Sequence, residues 1–184
     1  MARKGFAFQD HVAVRCCLVM LESSDISEVW CETYDDVVSL KQGIDGEVGS
    51  AEYIQVKSLE INQLWTVAKL CAREGGKVGS SLLEQSLARD RFKEVARFKL
   101  VTSLPLHSGL RILQLPLAHP DRAIATPDFN ELSTELSQKF LGTAFGNGKD
   151  IPYWLANTVW EHFSPTSLPD ENVGKMHKAL DGLG

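Results

Sequence analysis

The chain has 184 residues, of which 43% are hydrophobic and 23% charged, a composition typical of soluble globular proteins. The formal net charge is −5, so a surface that binds nucleic acid would have to be a local basic patch. No apolar run approaches the roughly 20 residues that a membrane span needs, and no apolar signal segment follows Met1. We therefore expect a cytoplasmic domain with a substantial core and no membrane contact.

The cysteines and histidines do not have the spacing of a structural metal site. Cys16, Cys17, Cys31 and Cys71 form no C-x-x-C pair, and the five histidines form no H-x-x-x-H motif. Neither a zinc site nor a disulfide framework is expected.

The N-terminal part of the chain predicts a helix followed by three strands. Apolar residues at spacings near three and four predict a helix over residues 6–22, with Gln9 on the same side as the apolar stripe. Strands are predicted over residues 27–33, 35–41 and 52–59. The glycine-rich segment between the second and third of these strands is expected to be a loop.

The next segment predicts helices and a fourth strand. One helix is predicted over residues 61–73, and another from Ser80 or Ser81 to about residue 94, because Ser81 and Glu84 have the spacing of a capping box. Residues 97–102 alternate and then become apolar, which predicts a strand. The predicted element order is therefore αβββαβ.

The C-terminal part is predicted to be mainly helical. Residues 104–127 hold four of the seven prolines and are expected to be irregular. Helices are predicted over residues 128–142, with Asp128 able to cap, and over residues 151–163. A short helix can follow the break at residues 164–169.

Asp36, Gln55 and Lys57 carry the chemistry that the sequence suggests. Gln55 and Lys57 are two apart in a strand, so their side chains leave the same face. An antiparallel hairpin would bring Asp36, at the start of one strand, beside them. Mg²⁺ prefers oxygen ligands such as a carboxylate and an amide carbonyl. A nearby lysine could orient or deprotonate the attacking water, or stabilise the transition state, in phosphodiester hydrolysis.

Four motifs and the element order resemble a known family. The motifs are Gly5-Phe-Ala-Phe-Gln9, Glu32 with Asp35-Asp36, Gln55-Val-Lys57 and Phe98-Lys-Leu-Val-Thr102. The order αβββαβ with Gln55-x-Lys57 resembles the Q-x-K branch of the PD-(D/E)xK nuclease superfamily. More narrowly, the motifs resemble a nuclease family of bacterial anti-phage operons of the cyclic-oligonucleotide (CBASS) type. In that family the nuclease domain is commonly followed by a SAVED sensor domain.

The resemblance covers residues 5–103 and implies a fold and an activity. The implied fold is α/β (α+β), with a restriction-endonuclease-like αβββαβ core over residues 1–103 and a mainly helical extension packed on it over residues 104–184. The implied activity is Mg²⁺-dependent (or Mn²⁺-dependent) cleavage of double-stranded DNA by the effector of an anti-phage system. The implied partners are the DNA, a SAVED-type or other sensor domain and, as an open alternative, further copies of the chain.

The resemblance also implies roles for individual residues. Asp36 and Gln55 would be metal ligands, Lys57 the catalytic lysine, and Gln9 and Glu32 further members of the catalytic site. Gln55 stands where the wider superfamily has an acidic residue. The site therefore has one negative charge fewer, unless Glu32 or Asp35 compensates.

Simpler interpretations of the same residues remain open. Taken alone, Asp36 could be a solvated residue at a strand start, Lys57 an edge-strand charge and Gln9 a helix cap. A cluster of five basic residues could bind DNA phosphates, or it could be a mixed-charge surface, because Asp90 and Glu94 interrupt it. Its members are Arg89, Arg91, Lys93, Arg97 and Lys99. The alternative functions are a catalytically inactive nuclease fold used for nucleic-acid binding or assembly, and an RNA-directed nuclease.

Overall fold

The computed structural model describes residues 2–31, 36–43, 48–58, 63–124, 126–143, 145 and 148–182, with side chains from residue 7 onward. The helices are α1 (Ala2–Glu22), α2 (Val67–Leu70), α3 (Leu82–Ala88), α4 (Pro127–Lys139), α5 (Ile151–Ala156) and α6 (Leu168–Asp181). The strands are β1 (Ile26–Cys31), β2 (Val37–Lys41), β3 (Ser50–Lys57), β4 (Val95–Thr102) and β5 (Thr158–His162). None of the helices over these residues is long and apolar enough to cross a membrane.

The strands form one mixed sheet in the order β1-β2-β3-β4-β5. The first three are antiparallel neighbours, as a meander requires, whereas β3, β4 and β5 run parallel. Helices lie on both sides of this sheet, and the αβββαβ order expected from the sequence is confirmed. Parallel pairing of β3 with β4 places the ends of both strands at the same edge of the sheet.

Strand alternation divides the core into two layers. On one face, Ile54 and Val56 of β3 pack with Phe8 and Val12 of α1, in the smaller core cluster. We call this the α1 face. On the other face, Tyr53 belongs to a larger cluster that includes residues of α3, α4 and α5. We call this the α3 face, and Gln55 and Lys57 point to it because they alternate with Ile54 and Val56.

The capping-box prediction is confirmed, but the helix ends at Ala88 and not near residue 94, and other predicted boundaries also differ. The Ser81 side chain accepts from the Glu84 amide, and the Glu84 carboxylate accepts from the Ser81 amide. The helix expected over residues 61–73 is reduced to Val67–Leu70. Asp128 is not the cap of α4, because Pro127 begins the helix after Thr126, a position that suits the fixed φ of proline. The Asp128 carboxylate instead accepts from Arg111.

The predicted helix over residues 151–163 is wrong in its second half. The helix ends at Ala156, and Thr158–His162 forms β5 beside β4. The segment Thr158-Val159-Trp160 has the β-branched and aromatic side chains that favour strands. The free edge of β4 then supplies the pairing partner that local propensity could not show.

Residues after position 103 contribute to the same core as the earlier ones. Besides β5, they supply Leu110, Phe129 and Trp154 to the larger cluster. The buried Arg122 donates to the carbonyls of Leu115, Leu155 and Thr158, which joins the irregular segment to α5 and β5. The C-terminal segment is therefore an integral layer of the fold.

Candidate active site

Gln55 is a buried amide with an unsatisfied acceptor. The residue is 1% exposed, and its Oε1 atom has no hydrogen-bond partner among the described residues. Nearly all buried polar atoms in folded proteins are paired, because an unpaired one loses its hydration without compensation. An orphaned carbonyl oxygen on a sheet strand is therefore a candidate ligand atom.

Asp36 lies beside this glutamine. Val37 pairs with Ile54 across the hairpin, so the next position of the antiparallel register places Asp36 opposite Gln55. The Oδ2 atom of Asp36 accepts a hydrogen bond of 2.6 Å from the backbone amide of Val56. Its carboxylate is thus held at the strand segment between Gln55 and Lys57.

Lys57 ends β3 on the α3 face. It is half-buried, and its ammonium group makes no ion pair or hydrogen bond within the described part of the chain. Its neighbour in the parallel register is Thr102, whose hydroxyl donates to the Leu104 carbonyl and accepts from the Trp160 indole. Sequence reasoning gave Thr102 and Trp160 no such role, since their contact depends on β5, which it missed.

Gln9, one of the expected site residues, is not joined to this group in the described contacts. Gln9 is half-buried on α1, whose neighbouring residues Phe8 and Val12 pack on the opposite face of the sheet. No described contact connects Gln9 with Asp36, Gln55 or Lys57. Glu32, like Asp35, lies outside the described residues.

The oxygen atoms present suit a hard divalent cation. No group of three His, Cys, Asp or Glu side chains clusters among the described residues. Mg²⁺ usually keeps several waters and takes only one or two carboxylates together with substrate phosphates. The Asp36 carboxylate and the orphaned Gln55 oxygen are such a sparse oxygen set.

The basic residues proposed from the sequence lie elsewhere. Arg89, Arg91 and Lys93 precede β4, whose first residue pairs with Ser50 at the far end of β3 from Lys57. A strand of 8 residues is about 23 Å long. The Tyr53 hydroxyl accepts from the backbone amides of Arg91 and Phe92 and so holds this loop against the sheet.

Lys99 does not belong to that basic cluster. Its ammonium lies 3.2 Å from the Glu52 carboxylate and 3.3 Å from that of Glu161, on the α1 face. The charge of Lys99 is therefore neutralised by these two carboxylates.

A family model described as "Cap4, dsDNA endonuclease domain" matches residues 1–179. The chain belongs to this family. A relative in Escherichia coli, "Anti-bacteriophage protein A", is 25% identical over 169 residues, which are 89% of this chain and 30% of that protein. The match to the family includes β5 and most of α6, so the matched domain extends well beyond residue 103.

Solved structures have the same fold. The Cap4 SAVED/CARF-domain containing receptor of Moraxella osloensis is 17% identical with a TM-score of 0.50, over 98% of this chain and 38% of that one. The Acinetobacter baumannii receptor, solved with the cyclic trinucleotide 2'3'3'-cAAA, is 13% identical with a TM-score of 0.55, over 96% and 36%. The chain thus spans about a third of the length of these relatives.

Proposed function

We propose that this domain is a metal-dependent endonuclease of the PD-(D/E)xK type that cleaves double-stranded DNA through a Gln-x-Lys variant of the motif. The observation that carries the proposal is the orphaned, buried Gln55 oxygen next to the Asp36 carboxylate, with Lys57 on the same face. Membership of the Cap4 dsDNA endonuclease domain family supports the substrate.

Each residue has a task that its position suits. Asp36 and Gln55 would hold Mg²⁺ or Mn²⁺, which on binding lowers the pKa of a bound water and offsets charge on the phosphate. Lys57 holds a positive charge where the phosphate would lie, and it can orient or deprotonate the attacking water. The hydrogen bond from the Val56 amide fixes the direction of the Asp36 carboxylate. Glu32 and Gln9 remain proposed members of the site.

The same reasoning extends to the whole protein. The relatives of this chain include an anti-bacteriophage protein and receptors with SAVED/CARF domains. We therefore propose that the domain is the degradative effector of a cytoplasmic anti-phage system, and that it works beside a sensor domain of that kind. Arg89, Arg91 and Lys93 would then bind DNA phosphates away from the cleaved bond.

Plasmid cleavage tests the catalytic assignment. The chain is incubated with supercoiled plasmid in Mg²⁺ or Mn²⁺, beside an EDTA control, over a range of protein concentrations. Lys57→Ala is expected to reduce nicking at least ~100-fold, whereas Lys178→Ala, which removes an exposed lysine of α6, should cleave like the parent. Intact cleavage by Lys57→Ala would contradict the assignment of the lysine.

Metal binding tests the site separately from activity. Titration calorimetry with Mn²⁺ should give saturable binding that Asp36→Asn weakens at least ~10-fold, because the substitution removes the carboxylate charge but keeps an acceptor for the Val56 amide. Tight binding that survives this change would place the metal elsewhere. Absence of both binding and cleavage would favour a catalytically inactive module that uses the nuclease fold for assembly.

A further inference from the structure

A groove of about 620 Å³ lies on the α1 face, between α1 and the sheet. This face is opposite to that of Gln55 and Lys57, so the groove is separate from the candidate active site. Its volume is within the range of about 300–1,000 Å³ that small-molecule pockets have. The walls are partly aliphatic, with Val12, Val19 and Ile54 among the lining residues.

Among the polar residues that line the groove, four form a row, one from each of four neighbouring strands. They are Ser39 of β2, Glu52 of β3, Lys99 of β4 and Glu161 of β5. The Lys99 ammonium contacts both carboxylates, at 3.2 Å and 3.3 Å. One positive charge thus faces two negative charges, which leaves this row with a net charge of −1.

Ser39 adds an unpaired polar group to the ion pairs that Lys99 makes with Glu52 and Glu161. It is 3% exposed, and its hydroxyl has no hydrogen-bond partner among the described residues. Ser39 pairs with Glu52 across the β2–β3 ladder, so the hydroxyl and the carboxylate leave the same face side by side. The hydroxyl and the carboxylate can both accept hydrogen bonds from one ligand group that has several donors.

We infer that this groove binds an aliphatic primary amine. Its ammonium group has three donors, enough for the Ser39 hydroxyl and the Glu52 carboxylate together. The net negative charge of the polar row favours a cation, and Val12, Val19 and Ile54 would contact the alkyl body. This inference does not depend on the proposed nuclease activity.

The other cations that line the groove determine which second charge a ligand can carry. Arg15 lines the groove with its guanidinium 5.8 Å from the centre of the Phe163 ring, and Lys175 lines it while paired with Glu22. A second ammonium on the ligand would meet these cations, whereas a carboxylate would be attracted to them. An ω-amino acid should therefore bind better than a diamine of the same length.

Four six-carbon probes test this order by titration calorimetry on the whole chain. The expected affinity is highest for ε-aminocaproate, followed by hexylamine and then hexamethylenediamine, with no saturable binding of hexanoate. Hexanoate binding as tightly as hexylamine would overturn the inference, as would the absence of saturable binding of either monoamine at ~10 mM, a concentration above the ~1 mM dissociation constants of weak complexes.

Ser39→Ala is the decisive variant. It leaves the Glu52–Lys99–Glu161 contacts in place and removes an unpaired hydroxyl, so the chain should stay folded in a thermal unfolding scan. Hexylamine affinity should fall at least ~10-fold, the loss expected for one hydrogen bond to a charged group. Glu131→Gln, which changes an exposed carboxylate of α4, should leave the affinity unchanged. Unchanged hexylamine affinity in Ser39→Ala would refute the inference.

Discussion

The lysines on the two faces of the sheet differ in their pairing. On the α1 face, Lys99 is neutralised by Glu52 and Glu161. On the α3 face, the described residues provide neither a partner for the buried oxygen of Gln55 nor an ion pair for Lys57. Yet the α3 face has the larger apolar core, where an unpaired polar atom costs most.

Whether a polar group has a partner within the chain helps to distinguish a structural role from a functional one. A lysine held by two carboxylates stabilises the fold but has no charge left for a substrate. A buried amide oxygen without a partner weakens the fold, and a ligand that supplies the missing contact offsets this cost. Other buried polar atoms, such as Asn172 Oδ1, also lack a described partner, so the position of the Gln55 oxygen beside the Asp36 carboxylate is what points to the candidate active site.

The largest expected effect comes from Gln55→Met. Methionine has a similar length and removes the orphaned oxygen, so cleavage should fall at least ~100-fold if that oxygen holds the metal. Stability should stay equal or rise by about 1 kcal/mol, because a buried acceptor without a partner carries a desolvation penalty. Plasmid nicking and urea denaturation measure the two effects.

A second glutamine provides the matched control. Gln85 of α3 donates from its side-chain amide to the Ser80 carbonyl, so it is a paired amide. Gln85→Met should lower stability by about 1 kcal/mol and leave cleavage intact. If Gln55→Met destabilised the chain as Gln85→Met does, Gln55 would be an ordinary paired residue and the comparison between the faces would fail.

A smaller effect, on stability alone, is expected for Lys99→Met. Burial lowers the pKa of Lys99, but Glu52 and Glu161 outweigh it and hold the pKa above the ordinary lysine value. The substitution leaves two partly buried carboxylates without their cation and should lower the free energy of unfolding by about 2 kcal/mol at neutral pH. Since the folded-state pKa is raised, this contribution is lost only as the pH rises beyond the ordinary lysine range.

Lys57→Met, unlike Lys99→Met, should affect cleavage and not stability. It is expected to change the free energy of unfolding by no more than about 0.5 kcal/mol while cleavage is lost. Urea denaturation of both lysine variants, beside the plasmid assay, checks the contrast. Equal stability losses in the two variants would show that Lys57 has a structural partner.

Sequence reasoning was most successful where local pattern and tertiary structure agree. The meander, the position of Asp36 opposite Gln55 and the Ser81–Glu84 capping box all follow from short-range spacing. It failed at Thr158–His162, because a strand that adds to the edge of β4 depends on pairing with residues 60 positions away. It also grouped Lys99 with the basic loop, since the sequence does not show that Glu52 and Glu161 flank it.

The orphaned state of the Gln55 oxygen could not have been predicted. The sequence gives the residue type and the face but not the count of hydrogen bonds, which depends on how the larger core closes over β3. The motif therefore points to Gln55 by residue type and face, and burial without a partner independently supports a ligand role for its oxygen.

The smallest expected effect concerns Glu84 of α3, whose buried carboxylate accepts hydrogen bonds from Arg73 and Ser81. Burial raises the pKa of Glu84, but hydrogen bonds from Arg73 and Ser81 outweigh it, and the pKa falls from 4.5 to about 2. Because the folded-state pKa is lowered, this stabilisation is complete above the ordinary glutamate pKa and is lost as the pH falls toward about 2. Glu84→Gln keeps the shape and removes the charge, so its melting temperature should be about 2–4 °C lower at pH 5, the shift for ~1 kcal/mol in a chain of this size. Thermal scans of both proteins from pH 5 downward should show this gap closing, whereas a gap independent of pH would mean that the Glu84 charge adds nothing to its hydrogen bonds.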